Sequence, residues 1–377
     1  MKVLIVSEIW THPIDMGNKR LIVDQADYLT KHGHEVHFLF VDLSLKQLPE
    51  KYILMKSYWG NRLHILKLGL FRKFIYNLKN QISIRFNRGY LTADQLYFDK
   101  IHKEINRLNL EYIFDACIIN YFYFSKAFEK ITIKRKILQT HDIFTNRNLN
   151  GTLTTMSTDE IEERKALNRA DYILSVQDYD ASFFKRLSPT KKVLSTFCNF
   201  NYKQSDVNGN TNLLFLSGTA DFNIRGLVWF FENVWEELKE NNPAIRLLIG
   251  GGICKELDNY NLPEDVELCG YIENVDEFLS QGDIFINPTY QGSGIKIKTL
   301  ESVAYDKISI TRIHNKIGLP FANDIPIYFS DSPKEWADFI LNTVGNNDVI
   351  NSIKHKNKIY MKLLNNYIDQ QYSELLN

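Results

Sequence analysis

Asp283-Ile-Phe-Ile-Asn-Pro-Thr-Tyr-Gln-Gly-Ser-Gly-Ile-Lys-Ile-Lys-Thr-Leu-Glu301 runs from a short apolar segment through a glycine-rich turn into apolar residues at helical spacing. Residues 284–287 are predicted to form a buried strand, 288–294 a loop, and 295–305 a helix. Glycine lets the backbone come close to a ligand, and the unpaired N–H groups of the next helical turn can grip a diphosphate. Lys298 and Glu301 are three apart and share a helix face. The ammonium suits phosphate, and the carboxylate can accept from a ribose diol. Taken alone, the stretch fits a glycine turn with a solvated Lys–Glu pair equally well.

Working outward, residues 213–216 and 246–249 read as strands, a helix is predicted near 225–240, and Gly250-Gly-Gly252 ends the second strand. The amino-terminal half opens the same way, with strands at 3–6 and 35–41 around a helix over 19–31. Strands alternating with helices in both halves predict an α/β protein of two doubly wound parallel-sheet domains. In such domains ligands gather beyond the carboxyl ends of the strands. Residues 199–211, rich in Asn, Gln, Ser, Asp and Gly, bury little and mark the boundary. The domains expected are 1–205, 206–347, and an amphipathic helical tail over 348–377 that packs back towards the amino-terminal domain.

A chain of 377 residues exceeds the usual reach of one core, and 44% hydrophobic with 24% charged residues is ordinary for globular domains. Lys plus Arg (45) balances Asp plus Glu (45), so no global field draws a nucleic acid. The cysteines Cys117, Cys198, Cys254 and Cys269 lack close spacing and read as reduced core residues. Asp178-Tyr-Asp180 imitates a metal-binding pair but opens a helix, where it would cap and complement the dipole. His32, His34 and His37 read as solvated, so neither a metal nor a cofactor is expected. The opening apolar run is too short for a signal peptide, which predicts a cytoplasmic protein.

Ordered motifs break the tie left by the glycine loop. Phe215-Leu-Ser-Gly218, Asn223-Ile-Arg-Gly-Leu-Val-Trp-Phe230, Leu247-Leu-Ile-Gly-Gly251, Val266-Glu-Leu-Cys-Gly-Tyr-Ile272 and Gly292-Ser-Gly-Ile-Lys-Ile-Lys-Thr-Leu-Glu301 follow one another across 213–320. Together they resemble the nucleotide-binding domain of retaining glycosyltransferases of the GT-B fold, whose two Rossmann-like domains face across a cleft. The last motif is similar to the signature of family 4. The resemblance implies that Glu301 holds the ribose, and that Gly292, Ser293, Gly294, Ile295 and Lys296 face the donor sugar and diphosphate. It implies that Tyr271 and Ile272 border the base and that Gly218 lies beside the donor. Arg225 stands where the family carries a lysine, so Arg225 and Lys298 would neutralise phosphate. Ser293 replaces the family's first glutamate and Thr219 its arginine, which leaves the donor sugar open.

In the amino-terminal half, Gly17-Asn18 is similar to the loop under the donor phosphates, and Ile137-Leu-Gln-Thr-His141-Asp142 through Arg147 to the strand-end histidine and acceptor-side loop. His141 would donate to sugar or phosphate, or else cap the next segment, and Asp142 and Arg147 would lie on the acceptor side. The activity implied is transfer from a nucleotide sugar to a hydroxyl of a glycan, glycolipid or lipid-linked acceptor. It would proceed with retention and without a metal, in surface polysaccharide or glycoconjugate synthesis. A non-catalytic sugar-nucleotide-binding partner subunit and a sugar-nucleotide epimerase are the alternatives.

Residues 51–92 carry nine lysines and arginines and no carboxylate. Leu70, Phe71, Phe74, Ile75 and Leu78 share a helical face there beside Arg72, Lys73 and Lys79, a pattern suited to an anionic membrane surface or to ordinary packing with a basic rim.

Overall fold

Two all-parallel sheets organise the chain. The computed structural model describes residues 1–14, 16–45, 48–86, 89–149, 156–196, 200–258, 260–291 and 297–376. Contacts divide it into one unit of residues 1–199 with 371–377, and a second of residues 200–370.

The first unit holds β1 (Lys2–Ser7), β2 (Glu35–Asp42), β3 (Leu63–Lys67), β4 (Ala116–Asn120), β5 (Arg135–Gln139), β6 (Tyr172–Ser175) and β7 (Lys192–Ser195). Their order is β3-β2-β1-β4-β5-β6-β7, so the winding reverses between β1 and β4. Val3, Leu4, Ile5 and Val6 are all buried, as a strand covered on both faces requires, and this accounts for the unbroken apolar run.

The second unit holds β8 (Asn212–Leu216), β9 (Arg246–Gly250), β10 (Val266–Gly270), β11 (Ile284–Asn287), β12 (Ile308–Thr311) and β13 (Ile327–Phe329). The order β10-β9-β8-β11-β12-β13 places its reversal between β8 and β11. Strand side chains alternate between faces. Leu213, Phe215, Leu247, Ile249, Ile284 and Ile286 therefore join the core around Phe230 and Trp336. Leu214, Leu248 and Phe285 point the other way, onto Phe278 and Leu279.

Several expectations shift. The helix placed near 225–240 begins at Asp221 and passes through a π-helical turn, Phe231–Trp235, before Glu236–Asn241. The tail is one helix, Asn347–Leu376. Up to residue 370 it groups with the second unit, where Lys354 donates to Asp283 at 2.9 Å with both side chains buried, and from 371 on it groups with the first. Much of the polar segment proposed as a boundary is anchored too, because Asp283 accepts from the N–H groups of Asn208 (2.8 Å) and Gly209 (3.0 Å).

His37 is not solvated. It is buried between His64 (2.9 Å) and Glu35 (2.8 Å), because β2 lies inside the sheet. Asp178 and Asp180 occupy the first turn of helix Asp178–Leu187, but Gln177 is the N-cap and its amide donates to Asp180 at 2.7 Å. Cys117, Cys254 and Cys269 are free thiols, and Cys198 lies outside the described residues. Among the described residues no helix is long and apolar enough to cross a membrane, and no group of three His, Cys, Asp or Glu side chains is placed to hold a metal.

Candidate functional site

The reversal between β8 and β11 creates a crevice at the carboxyl ends of these strands, and the side chains there converge. Lys298, on helix Ile297–Ala304, donates to Asn223 Oδ1 at 2.7 Å and to Ser217 Oγ at 2.8 Å. Asn223, buried near the start of helix Asp221–Phe230, turns its amide back to the Gly218 carbonyl at 3.0 Å. An ammonium is thereby held beside the strand end, and a Cβ at Gly218 would meet nothing within 4 Å. Glu301, half-buried one turn on from Lys298, faces the same side of the helix. Gly292, Ser293, Gly294, Ile295 and Lys296, the expected donor loop, lie outside the described residues.

Three glycines around the crevice are there for want of space. Gly251 has φ +97°, and a Cβ on it would come 2.4 Å from the Ser217 carbonyl oxygen. Gly226 lets helix Asp221–Phe230 pack onto the loop after β11, since its Cβ would lie 3.0 Å from the Pro288 backbone. Ile272 closes over the end of β9, its Cγ1 only 2.7 Å from where a Gly250 Cβ would stand. Tyr271 is exposed.

The start of the loop after β11 is fixed by a buried polar network. Asn287 donates to Thr299 (3.0 Å) and accepts from Thr289 (2.7 Å), while Asn315 donates to Thr311 Oγ1 (2.7 Å) and the Thr289 carbonyl (2.5 Å). Sequence reasoning singled out none of these residues, nor Ser217 and the side chain of Asn223. Their one signal is polar residues closing apolar strands, as in Ile-Phe-Ile-Asn287.

Arg225 does not join Lys298. It is exposed, pairs with Asp221 four residues earlier, and lines a groove of about 410 Å³ with Trp229, Tyr260, Tyr290 and Arg312. Asp221 first, then the Tyr290 hydroxyl, push the pKa of this guanidinium up. Arg312 lies 4.1 Å from the Trp229 ring centroid, a cation–π contact, and pairs with Asp331 at 2.5 Å.

In the first unit the corresponding crevice, between β1 and β4, gathers a different set. Asn18, in the first turn of helix Gly17–Lys31, donates to the Tyr121 hydroxyl at 3.1 Å. Tyr121 stacks on His141 (4.3 Å between centroids) and on Tyr123 (5.4 Å), and the Tyr123 hydroxyl donates to Glu8. Glu8 Oε2 and Asn18 Oδ1 are buried without a partner among the described residues. Burial pushes the Glu8 carboxyl up to about 7, against a smaller lowering by the Tyr123 hydrogen bond. His141 is buried, its Nε2 is 2.8 Å from Asn120 Oδ1, and desolvation takes its pKa down to about 3, so the ring is neutral. Asp142 and Arg147 pair with each other at 3.4 Å. Glu8, Tyr121 and Tyr123 went unnoticed in the sequence, because a lone glutamate after a strand and aromatic residues in an apolar run carry no spacing signal.

A lysine at a parallel-sheet switch point, a glutamate one turn on and a glycine junction are also what one sequence profile covers as a unit. Residues 210–346 match the family described as Glycosyl transferases group 1. The matched stretch contains Ser217, Asn223, Lys298, Glu301 and the whole groove around Arg225 and Arg312.

The chain is also similar to an "Uncharacterized 44.6 kDa protein in cps region" of Klebsiella pneumoniae, 23% identical over 337 residues and covering 80% of each chain. Among solved structures, a TarM variant from S. aureus in complex with Fondaparinux, alpha-GlcNAc-glycerol and UDP superposes with a TM-score of 0.65. It is 11% identical, with 100% of this chain and 99% of that chain covered. Anabaena HepE in complex with UDP and glucose gives a TM-score of 0.62 at 12% identity, with the same coverage. Likeness at this identity shows the fold, which is GT-B, built from two Rossmann-like parallel-sheet domains as the motifs implied.

Proposed function

We propose that the chain is a glycosyltransferase of the family 4 kind, moving a sugar from a nucleotide-sugar donor to a hydroxyl of a glycan or lipid-linked acceptor with retention of anomeric configuration. The reaction would need no resident metal and would serve the synthesis of a surface polysaccharide or glycoconjugate at the cytoplasmic side. The observation that carries this is the Lys298 ammonium, held by Ser217 and Asn223 at the switch point, one helical turn from Glu301 within the group 1 domain. The UDP and sugars bound by TarM and HepE support a nucleotide-sugar donor and a glycan acceptor.

Breaking the bond at the anomeric carbon leaves negative charge on the departing diphosphate. Lys298 places an ammonium at the switch point, and the amides leading into its helix would add fixed positive ends. A charge-assisted hydrogen bond contributes about 1.5–3 kcal/mol and a helix terminus up to about 2, whereas an enzyme needs roughly 8 or more. The remainder would come from orienting the acceptor hydroxyl at the anomeric carbon. Glu301 would hold the ribose and Ile272 would border the base. On the first domain, Gly17, Asn18, His141 and Glu8 would meet the donor phosphates and the acceptor.

The test is release of nucleoside diphosphate from a panel of UDP-, GDP- and dTDP-sugars, with wild type and Lys298→Gln. One donor should be consumed by wild type and at least tenfold more slowly by the variant. Equal rates would remove Lys298 from the site. Tight donor binding with no release would instead favour a non-catalytic partner subunit.

A further inference from the structure

Helix Leu70–Phe86 is amphipathic in the wrong sense for a helix that serves the core. Leu70, Phe71, Phe74, Leu78, Ile82 and Phe86 are all exposed, Phe71 at 75% and Phe86 at 74%. Positions 71, 74, 78 and 82 follow helical spacing, so these side chains form one apolar stripe in solvent.

The polar side faces inward and is pinned there. Lys73, buried, donates to Asp42 at 2.7 Å and to the Ser44 carbonyl at 2.8 Å. Ser83 donates to the Tyr90 carbonyl at 2.5 Å, and Tyr76 is buried in the core of the first unit. Rolling the helix to hide the stripe would break the Lys73–Asp42 pair and leave Asp42 an uncompensated buried charge, which is strongly unfavourable. The outward stripe is therefore a property of the fold, and a patch this large marks an interaction surface.

The charges around it say what the surface meets. No carboxylate occurs between Lys51 and Thr92, and Arg72, Lys79 and Arg85 lie on the helix itself. Arg72 also lines a groove of about 570 Å³ with Lys100, Lys103 and Lys126. The two carboxylates of that groove are outnumbered by its cations and engaged mainly from outside it: Asp94 by Arg169 (2.7 Å) and Lys165 (2.9 Å), with Lys126 of the groove farther off at 3.5 Å, and Asp99 by Lys130 (2.9 Å). A second copy of the chain, paired through the stripe by two-fold symmetry, would bring these cations against their own kind. A surface that is apolar below and anionic above suits both features.

We propose that helix Leu70–Phe86 docks flat on an anionic bilayer, with its stripe in the acyl boundary and a lipid phosphate in the groove beside Arg72. The proposal does not rest on sugar transfer. It is tested by flotation of the full chain with vesicles of phosphatidylcholine containing a quarter phosphatidylglycerol, and with phosphatidylcholine alone, at 50 and 500 mM NaCl. Binding is expected to the anionic vesicles only and to fall at least fivefold at the higher salt.

Phe71→Ser with Phe74→Ser, and separately Lys100→Gln with Lys103→Gln, should each reduce binding about tenfold or more at an unchanged unfolding midpoint, since all four residues are exposed. Ile161→Ser, at an exposed apolar residue on another helix, should leave binding intact. No binding to anionic vesicles at 50 mM NaCl, or binding that both double variants retain, overturns the proposal. So does light scattering that shows a dimer which Phe71→Ser with Phe74→Ser splits, in a protein indifferent to vesicles.

Discussion

Lys298 Nζ stands 2.7 Å from Asn223 Oδ1, a contact that spans 75 residues of sequence and ties the helix after the glycine loop to the helix after β8. Ser217, at 2.8 Å, completes the cradle. All three partners come from segments that leave the carboxyl ends of neighbouring strands, which is where the reversal of the sheet opens a crevice.

That cradle separates two candidate cations. Lys298→Gln should weaken nucleoside diphosphate binding about ten- to a hundredfold, the worth of one charge-assisted hydrogen bond. Arg225→Gln, at an exposed side chain already paired with Asp221, should cost about threefold or less. Calorimetric titration of both variants checks this, and a larger loss from Arg225→Gln would reverse the assignment.

Gly251→Ala is expected to destabilise the second domain by at least about 2 kcal/mol. The new methyl group would collide with the Ser217 carbonyl at 2.4 Å, and φ of +97° is strained for alanine. Thermal unfolding measures it; a midpoint within a degree of wild type would contradict the tight crossing of β8 and β9.

The carboxyl of Glu8 predicts a pH signature. Burial raises it from its ordinary 4.5 to about 7, so between those values the folded chain holds more protons than the unfolded one. Stability from this group is therefore full below about pH 4.5 and is lost as pH rises towards 7. Glu8→Gln removes the titration. Its stability relative to wild type should grow between pH 5 and 8, towards a difference on the order of 3 kcal/mol. Denaturant unfolding across that range checks it, and a flat difference would show that Glu8 is ionised at little cost.

Lys354→Ala should be costly for the opposite reason. Asp283, 2% exposed, would lose its cation and keep its charge, a loss of about 3–5 kcal/mol. Lys354→Met combined with Asp283→Asn should recover more than half of the lost stability, because the amide oxygen can still accept from the Asn208 and Gly209 N–H groups. Calorimetric unfolding of the single and double variants measures both terms.

The central strands were legible because they are buried on both faces, so residues 3–6 and 284–286 appear as unbroken apolar runs that no solvent-facing residue interrupts. The run Gly250 to Gly252 was legible because close approach excludes side chains, a Cβ at Gly251 falling 2.4 Å from the Ser217 carbonyl oxygen. What stayed hidden depends on distance in sequence. Nothing local marks Asn223 as the partner of Lys298, and nothing in a lone Glu8 announces Tyr123, 115 residues away. Arg225 was placed by position in a motif, which carries no sign of the groove its side chain shares with Arg312. His37 was misjudged because a histidine near a turn resembles a solvated one until its strand is known to be internal.

The most direct test of the donor site is a crystal structure of the chain with the nucleoside diphosphate it binds most tightly. A phosphate oxygen is predicted within about 3.2 Å of Lys298 Nζ, with the ribose hydroxyls on Glu301. A nucleotide bound instead along the Arg225–Arg312 groove, with Lys298 still closed on Ser217 and Asn223, would contradict it.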